Sequence, residues 1–186
     1  MNLKELEPDQ IETLYKQRMI IDFPKDELKP LKMILEARGR GIYECLGVFE
    51  DDELIGYSFF EKAEGNYLLD YLAVFPEKRN GGIGSRVLGL LEEHFAEADL
   101  VIGEVEDPER AENDADRQLQ ARRLGFYLRN GCRDTGLRVE CFGVPFVILA
   151  SGKGECPDPD SIWEIYRRLY GQVLSDEVVE RKLKRL

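Results

Sequence analysis

Arg79-Asn80-Gly81-Gly82-Ile83-Gly84-Ser85 follows an apolar run ending at Val74-Phe75-Pro76 and opens an amphipathic segment that ends near Ala98. Gly81, Gly82 and Gly84 remove the Cβ atoms that would hold a ligand off the backbone. The helix that follows aims unpaired N–H groups and the positive end of its dipole at an anion, and Arg79 adds a cation. The stretch reads as a phosphate cradle. Its spacing excludes two common ones. A Walker loop ends in Gly-Lys-Ser/Thr, and a dinucleotide fingerprint needs Gly or Ala at position 87, where Val87 stands. Taken alone, a Gly-Gly pair also makes an ordinary turn.

The flanks decide between cradle and turn. The string Leu72-Ala73-Val74-x-Pro76-x-x-Arg79-x-x-Gly82-x-Gly84 resembles the signature of the GNAT superfamily. These are acyl-CoA-dependent N-acyltransferases, whose Arg/Gln-x-x-Gly-x-Gly/Ala loop holds the CoA pyrophosphate. A second stretch, Phe126-Tyr127-Leu128-Arg129-Asn130-Gly131, resembles the F-Y-x-x-x-G ending of that family's fourth helix. The resemblance covers roughly residues 1–150. It implies an α/β fold with a central mixed, mostly antiparallel sheet of six to seven strands and about four flanking helices.

It also implies a ligand geometry. Acetyl-CoA as cosubstrate would lie in a V between the strand ending at Val74 and the strand containing Glu104. Its pantetheine would pair with the backbone along Leu72, Ala73 and Val74. Its pyrophosphate would sit beside Arg79 on the N–H groups of Asn80, Gly81, Gly82, Ile83, Gly84 and Ser85. No metal is expected.

Composition sets wider bounds. A chain of 186 residues suits one domain that buries a core without disulfides or metals. The expected division is an acyltransferase domain at 1–150 and a helical extension at 151–186, packed on the domain or on a partner subunit, so a homodimer is one of two arrangements. Lys and Arg number 26 against 37 acids, and the net charge of -11 argues against nucleic acid or an anionic membrane as partner. A cationic acceptor is easier to accommodate. CoA is itself anionic, so it would rely on the local field of Lys78, Arg79, Arg86 and the helix terminus, which prevails within a Debye length of about 10 Å.

Cys45, Cys132, Cys141 and Cys156 form no C-x-x-C pair, and His94 is the single histidine, so the common structural zinc patterns are absent. The thiols read as reduced. With no secretory signal and no apolar run near 18 residues, the cytoplasm is the expected location.

Along the chain, Ile11, Leu14, Tyr15, Arg18 and Met19 recur at helical spacing after Pro8. A second helix is expected from about Asp26 through Leu28, Leu31, Ile34 and Leu35 to Gly39-Arg40-Gly41. The runs 43–49 and 54–61 flank Glu50-Asp51-Asp52-Glu53 as a hairpin, and 67–74 is a buried strand interrupted by Asp70. A short strand is expected around Leu3 to Leu6. The strand at 100–105, a helix from about Ala115 to Asn130, and strands at 134–142 and 144–150 follow. In the tail, Ile162, Ile165, Tyr166, Leu169 and Val173 mark one helix, and Ser175 caps another that ends in Arg181, Lys182, Lys184 and Arg185.

By resemblance, Tyr127 reaches the CoA sulfur and protonates the leaving thiolate. A phenol suits this task because its reference pKa near 10 keeps it protonated at neutral pH. A core aromatic on the edge of the Ala121, Leu124, Leu128 stripe is the plainer reading. An attacking amine needs a carboxylate nearby to accept its proton. Gly103-Glu104-Val105 resembles the x-Glu-Val at which several GNAT members place a base, with Asp70 and Glu106 as rivals. Phe23 and Glu27, at the junction of the first two helices, are expected along with Asp70 to contact the acceptor, a small-molecule amine or a peptide.

The span from Glu104 to Asp116 holds seven acids and one base, and reads either as a solvated mobile insertion or as a lid for a cationic amine. His94 and Cys132 read as structural. Gly125 suggests close packing or simple tolerance. The expected activity is direct acetyl transfer to a primary amine; a CoA-binding module without turnover is the alternative.

Overall fold

The computed structural model describes residues 1–25, 27–79, 81–152 and 156–186. It begins with a short strand, β1 (Asn2–Glu5), and a helix, α1 (residues 8–22). Pro8 opens α1, where a missing N–H is no loss. The helix is regular over Pro8–Leu14, widens to a π-helical stretch at Tyr15–Met19 and closes with Ile20–Asp22. Widening moves the inward position by one residue: Met19 is fully buried, and the Arg18 guanidinium lies over the Phe75 ring at 4.3 Å. The next helix, α2, spans Leu31–Gly39. It starts later than the apolar spacing predicts because Pro30 stands at its N-cap and a residue before proline avoids the helical region. The predicted start at Asp26 lies outside the described residues.

The hairpin joins β2 (Tyr43–Glu50) to β3 (Glu53–Ala63) through Asp51 and Asp52, both at positive φ (48° and 65°), the conformation a two-residue hairpin loop demands. Then come β4 (Asn66–Val74), α3 (Ile83–His94), β5 (Leu100–Glu106), α4 (Asp114–Arg129), β6 (Arg133–Cys141) and β7 (Val144–Ser151). Past the expected domain boundary are α5 (Pro159–Tyr170), α6 (Asp176–Lys182) and β8 (Leu183–Arg185).

The described strands make one mixed, mostly antiparallel sheet of eight, in the order β1-β2-β3-β4-β5-β7-β6-β8. The β4–β5 pair alone is parallel. Among the described residues there are thus eight strands, against six to seven expected, and six helices, the sum of about four flanking the sheet and two in the tail. Part of the excess is β8. Leu183 to Arg185 continue the basic end of α6 in sequence, yet they pair with Val139 to Cys141 because the β6 edge otherwise leaves its backbone groups without partners.

The two faces are covered by different helices. Tyr43 and Cys45 of β2 join Ile11, Leu14 and Met19 of α1 and Ile34 of α2. Alternate positions, Leu46 and Val48, pack with Val87 and Leu91 of α3. Further along the sheet, Ile102 and Ile148 meet Ile162, Tyr166 and Leu169 of α5, whereas Val105, Val147 and Leu149 meet Leu124 and Tyr127 of α4. So α1, α2 and α5 lie on one face, and α3 and α4 on the other.

The acidic stretch before α4 is fastened by its own caps. Asp107, only 4% exposed, accepts the Glu109 N–H at 3.0 Å, and Asn113 accepts the Asp116 N–H at 3.0 Å as N-cap of α4. Among the described residues, no helix is long and apolar enough to cross a membrane.

Candidate active site

The two parallel strands stop pairing partway. Asn66 to Leu69 of β4 run beside Leu100 to Gly103 of β5, and beyond that point the strands part. Residues 72–74 stay bonded to β3 on one side, so the edge facing β5 has no strand partner. A cleft of about 710 Å³ opens there. Leu72, Ala73 and Val74 line one wall and Glu104, Val105 and Glu106 the other. Because the gap passes through the sheet, it collects side chains from both faces: Lys29, Asp70 and Glu104 from the α1, α2 and α5 side, and Arg123 and Tyr127 of α4 from the other.

The glycine loop ends beside this gap. Gly81 and Gly82 sit at φ of 66° and 79°, and Gly82 is the N-cap of α3 in the left-handed region; among the described residues no side chain caps its first turn. Asn80 lies outside the described residues. Gly84 has a different role from the other two. A Cβ there would meet Phe126 Cζ at 3.0 Å, so its missing side chain lets α3 close against the aromatic pair of α4. Arg79 donates from Nε to the Val74 carbonyl at 2.8 Å and stands 3.7 Å from Asp22. Two of the cations expected to serve the cradle are engaged elsewhere, Lys78 with Glu53 at 2.6 Å and Arg86 with Glu50 at 3.4 Å.

The cleft floor is a network of charges and phenols. Lys29 Nζ donates to Asp70 at 2.8 Å and lies 3.1 Å from Glu61 Oε1; the Tyr43 hydroxyl donates to the other Asp70 oxygen. Burial works to lower the Lys29 pKa, but the Asp70 and Glu61 charges outweigh it and hold the ammonium well above the ordinary lysine value. One cation then faces two carboxyls. Glu61 is fully buried and its contact with Lys29 lacks hydrogen-bond geometry. Burial pushes its carboxyl up to about 8, against the pull of Lys29.

The three candidate bases differ in what holds them. Asp70 is tied to Lys29 and Tyr43, and Glu106 to Arg123 in an ion pair. Among the described residues Glu104 accepts only from phenols: Tyr166 donates to Oε1, and Tyr170 to Oε2 at 3.0 Å. Among the described residues no cation lies within ion-pair distance of it. Burial raises its carboxyl, and the two phenol bonds oppose that rise by favouring the ionised form.

Tyr127 and Leu124 are the residues that α4 turns toward the sheet, with Leu128 42% exposed. The inward stripe is therefore rotated from the predicted Ala121, Leu124, Leu128 line, and Tyr127 lies on it rather than at its edge. Burial, with the nearby Cys132 adding to it, pushes the Tyr127 phenol up to about 12. Gly125, one residue earlier, meets only the flexible end of Arg129, so it is tolerated rather than required.

Phe23 and Glu27 both line the cleft. Phe23 packs edge-on to Tyr71 at 4.8 Å, and the Glu27 carbonyl accepts the Tyr71 hydroxyl at 3.0 Å, which fastens the α1–α2 junction over β4. His94 is outside the cleft, paired with Glu44 at 2.6 Å.

The sequence reading does not mark Lys29, Tyr43, Glu61 or Tyr170 as site residues, and Tyr166 enters it only as one position of a helical stripe. One signal was present: Glu61 ends the run Tyr57-Ser58-Phe59-Phe60, and a charge closing a buried strand needs a buried partner.

Residues 8–126 match the model of the acetyltransferase (GNAT) family. No protein of curated function matches the chain in sequence. Among solved structures, the chain is similar to a GNAT-family acetyltransferase from Bacteroides thetaiotaomicron, with 22% identity over 90% of this chain and 94% of that one and a TM-score of 0.71. The ribosomal-protein-S18-alanine N-acetyltransferase of Escherichia coli gives 17% identity, 83% and 96% coverage and a TM-score of 0.58. PaiA N-acetyltransferase of Thermoplasma acidophilum, solved with coenzyme A, gives 19%, 81% and 97%, and 0.52. Identities this low speak for the fold, and the family model, matching well over half of the chain, shows the rest: this chain belongs to the GNAT family of acetyltransferases.

Proposed function

We propose that the protein moves an acetyl group from acetyl-CoA directly to a primary amine. The observation that carries this reading is the parting of β4 and β5, with a phenol on one face of the gap and a buried carboxylate on the other. The open edge of residues 72–74 suits an extended amide-bearing arm, which would pair with it as a strand does. The N-terminus of α3, which no side chain caps among the described residues, suits a pyrophosphate. The matched family and the coenzyme A in the Thermoplasma acidophilum structure support the same donor.

In this reading Glu104 accepts one proton from the acceptor's ammonium. The freed lone pair forms the C–N bond at the thioester carbonyl while backbone N–H groups of β4 stabilise the oxyanion. The C–S bond breaks and the thiolate takes the Tyr127 proton. The proton left on the amide nitrogen replaces it, and Glu104 releases its own to solvent. The products are an N-acetylated amine and free CoA.

The acceptor is a small amine or a peptide, met by Phe23, Glu27 and Asp70. A cationic one agrees with the net charge of -11 and the carboxyls of the cleft floor. The four unpaired cysteines agree with a reducing compartment such as the cytoplasm. A panel of amines incubated with acetyl-CoA, a peptide N-terminus, lysine, spermidine and an aminoglycoside among them, tests the reading by thiol release and product mass. Release with at least one amine is expected. Thermal stabilisation by CoA without release across the panel would make the protein a CoA-binding module instead.

A further inference from the structure

The carboxylate read above as the base is held by a part of the chain that lies beyond the family match, which ends at residue 126. Tyr166 and Tyr170 stand one helical turn apart on α5, so both rings project from the same face. That face is turned into the sheet: the two tyrosines are 0% and 5% exposed. Their rings pack edge-on at 5.1 Å, and Trp163 stacks on Tyr166 at 5.8 Å. Each hydroxyl takes one Glu104 oxygen, while the carboxylate still lines the cleft. Cys141 of β6 donates its thiol hydrogen to the Tyr170 oxygen at 3.3 Å, leaving the Tyr170 hydrogen for Glu104.

Two phenols with such bonds do more than fill a core. A buried tyrosine needs one partner for its hydroxyl, and a backbone carbonyl serves. Here two adjacent tyrosines converge on the two oxygens of one side chain, 62 and 66 residues away in sequence, which fixes its rotation as well as its charge.

We propose that Tyr166 and Tyr170, brought in by the C-terminal helix α5, are positioning residues of the transfer reaction: they hold Glu104 ionised and turned toward the acceptor nitrogen. The inference rests on the reading of Glu104 as the proton acceptor. It makes the C-terminal extension part of the active site.

The groups facing Glu104 are Tyr166 and Tyr170 from α5, Asp70 from β4, Glu61 from β3, Lys29 from the α1–α2 junction and Cys141 from β6. Burial and the Asp70 charge favour the protonated carboxyl; the phenol bonds and Lys29 favour the ionised one. Removing one hydroxyl therefore moves the Glu104 titration to higher pH, by about one unit for a bond to a charged group.

Tyr166→Phe and Tyr170→Phe keep the rings and remove only the bonds. In protein labelled with 13C at glutamate carboxyls, the Glu104 resonance is the one lost in Glu104→Gln. We expect it to titrate about one unit higher in each tyrosine variant. With the amine that turns over, the acidic limb of kcat/KM is expected to move up by the same amount, with KM for acetyl-CoA unchanged. Ile162→Val, which disturbs α5 packing without touching Glu104, is expected to leave both readouts in place.

An unmoved Glu104 titration in both tyrosine variants overturns the proposal, and this readout needs no acceptor. A limb lost in Glu104→Gln but unmoved in the tyrosine variants also overturns it while leaving the base assignment standing. A limb that survives Glu104→Gln removes the base assignment itself.

Discussion

Tyr127 and Glu104 reach one gap from opposite faces of the sheet, and burial raises the pKa of both. In the proposed transfer the same cause has opposite uses. A phenol pushed up to about 12 stays protonated across the physiological range and remains a donor. A carboxylate raised above its ordinary value becomes a stronger base. Tyr127→Phe is expected to lower kcat by about 100-fold while the melting-temperature shift produced by CoA stays as in the parent; an unchanged kcat removes Tyr127 from the mechanism. Glu61 gives a second prediction, in stability. Its folded pKa of about 8 exceeds the ordinary 4.5, so the folded state binds a proton that the unfolded state lacks between those values. That contribution is complete below about 4.5 and is lost as pH rises through about 8. Urea midpoints are therefore expected to fall from pH 5.5 to 8.5, and to fall less steeply in Glu61→Gln. Equal slopes in the two proteins would show that Glu61 is already ionised in the fold.

At the scale of elements, α3 carries two internal glycines with different surroundings. A Cβ at Gly89 meets nothing within 4 Å, so Gly89→Ala is expected to stabilise by about 0.5–1 kcal/mol through helix propensity alone, with activity unchanged. At Gly84 the same gain meets Phe126 at 3.0 Å, which must shift and carries its neighbour Tyr127 with it. Gly84→Ala is thus expected to show no net gain in thermal stability and a slower transfer. A Gly84→Ala protein as stable as Gly89→Ala and as fast as the parent would show that the contact yields freely. This glycine illustrates what the sequence could tell. The motif from Leu72 to Ser85 located the gap and the glycine turn beside it, because short-range chemistry is written in consecutive residues. It could not say that a side chain at Gly84 would also meet Phe126, forty-two residues away. For the same reason the Lys29, Glu61, Asp70 cluster was illegible: its members come from three elements and meet only after the sheet forms. Helix α1 was legible to within one turn, and its π-helical stretch was not, since Arg18 and Met19 both fit the regular spacing.

The whole molecule depends on the extension as much as the site does. Helix α5 buries Ile162, Tyr166, Leu169 and Tyr170, and α6 and β8 add Val179 and Leu183 to the same cluster as Leu68, Ile102, Ile148 and Ala150 of the sheet. Full burial of a large apolar side chain contributes about 1.5–3 kcal/mol. The four α5 residues alone then contribute on the order of 6–12 kcal/mol, an upper figure because unfolded chains already bury some surface. Domain stabilities are about 5–15 kcal/mol, so the loss is comparable to the whole. Removal would also expose one face of β5, β6 and β7 and free the β6 edge that β8 covers. A chain ending at residue 152 is therefore expected to lack a cooperative melting transition and to aggregate, rather than to fold as a slower enzyme. Calorimetry and size-exclusion chromatography of that chain beside the full one check this. A truncated chain that stays monodisperse and melts cooperatively within a few degrees of the parent would make the extension an appendage. In that case Glu104, stripped of both phenols, would report through its pH profile how the base behaves alone.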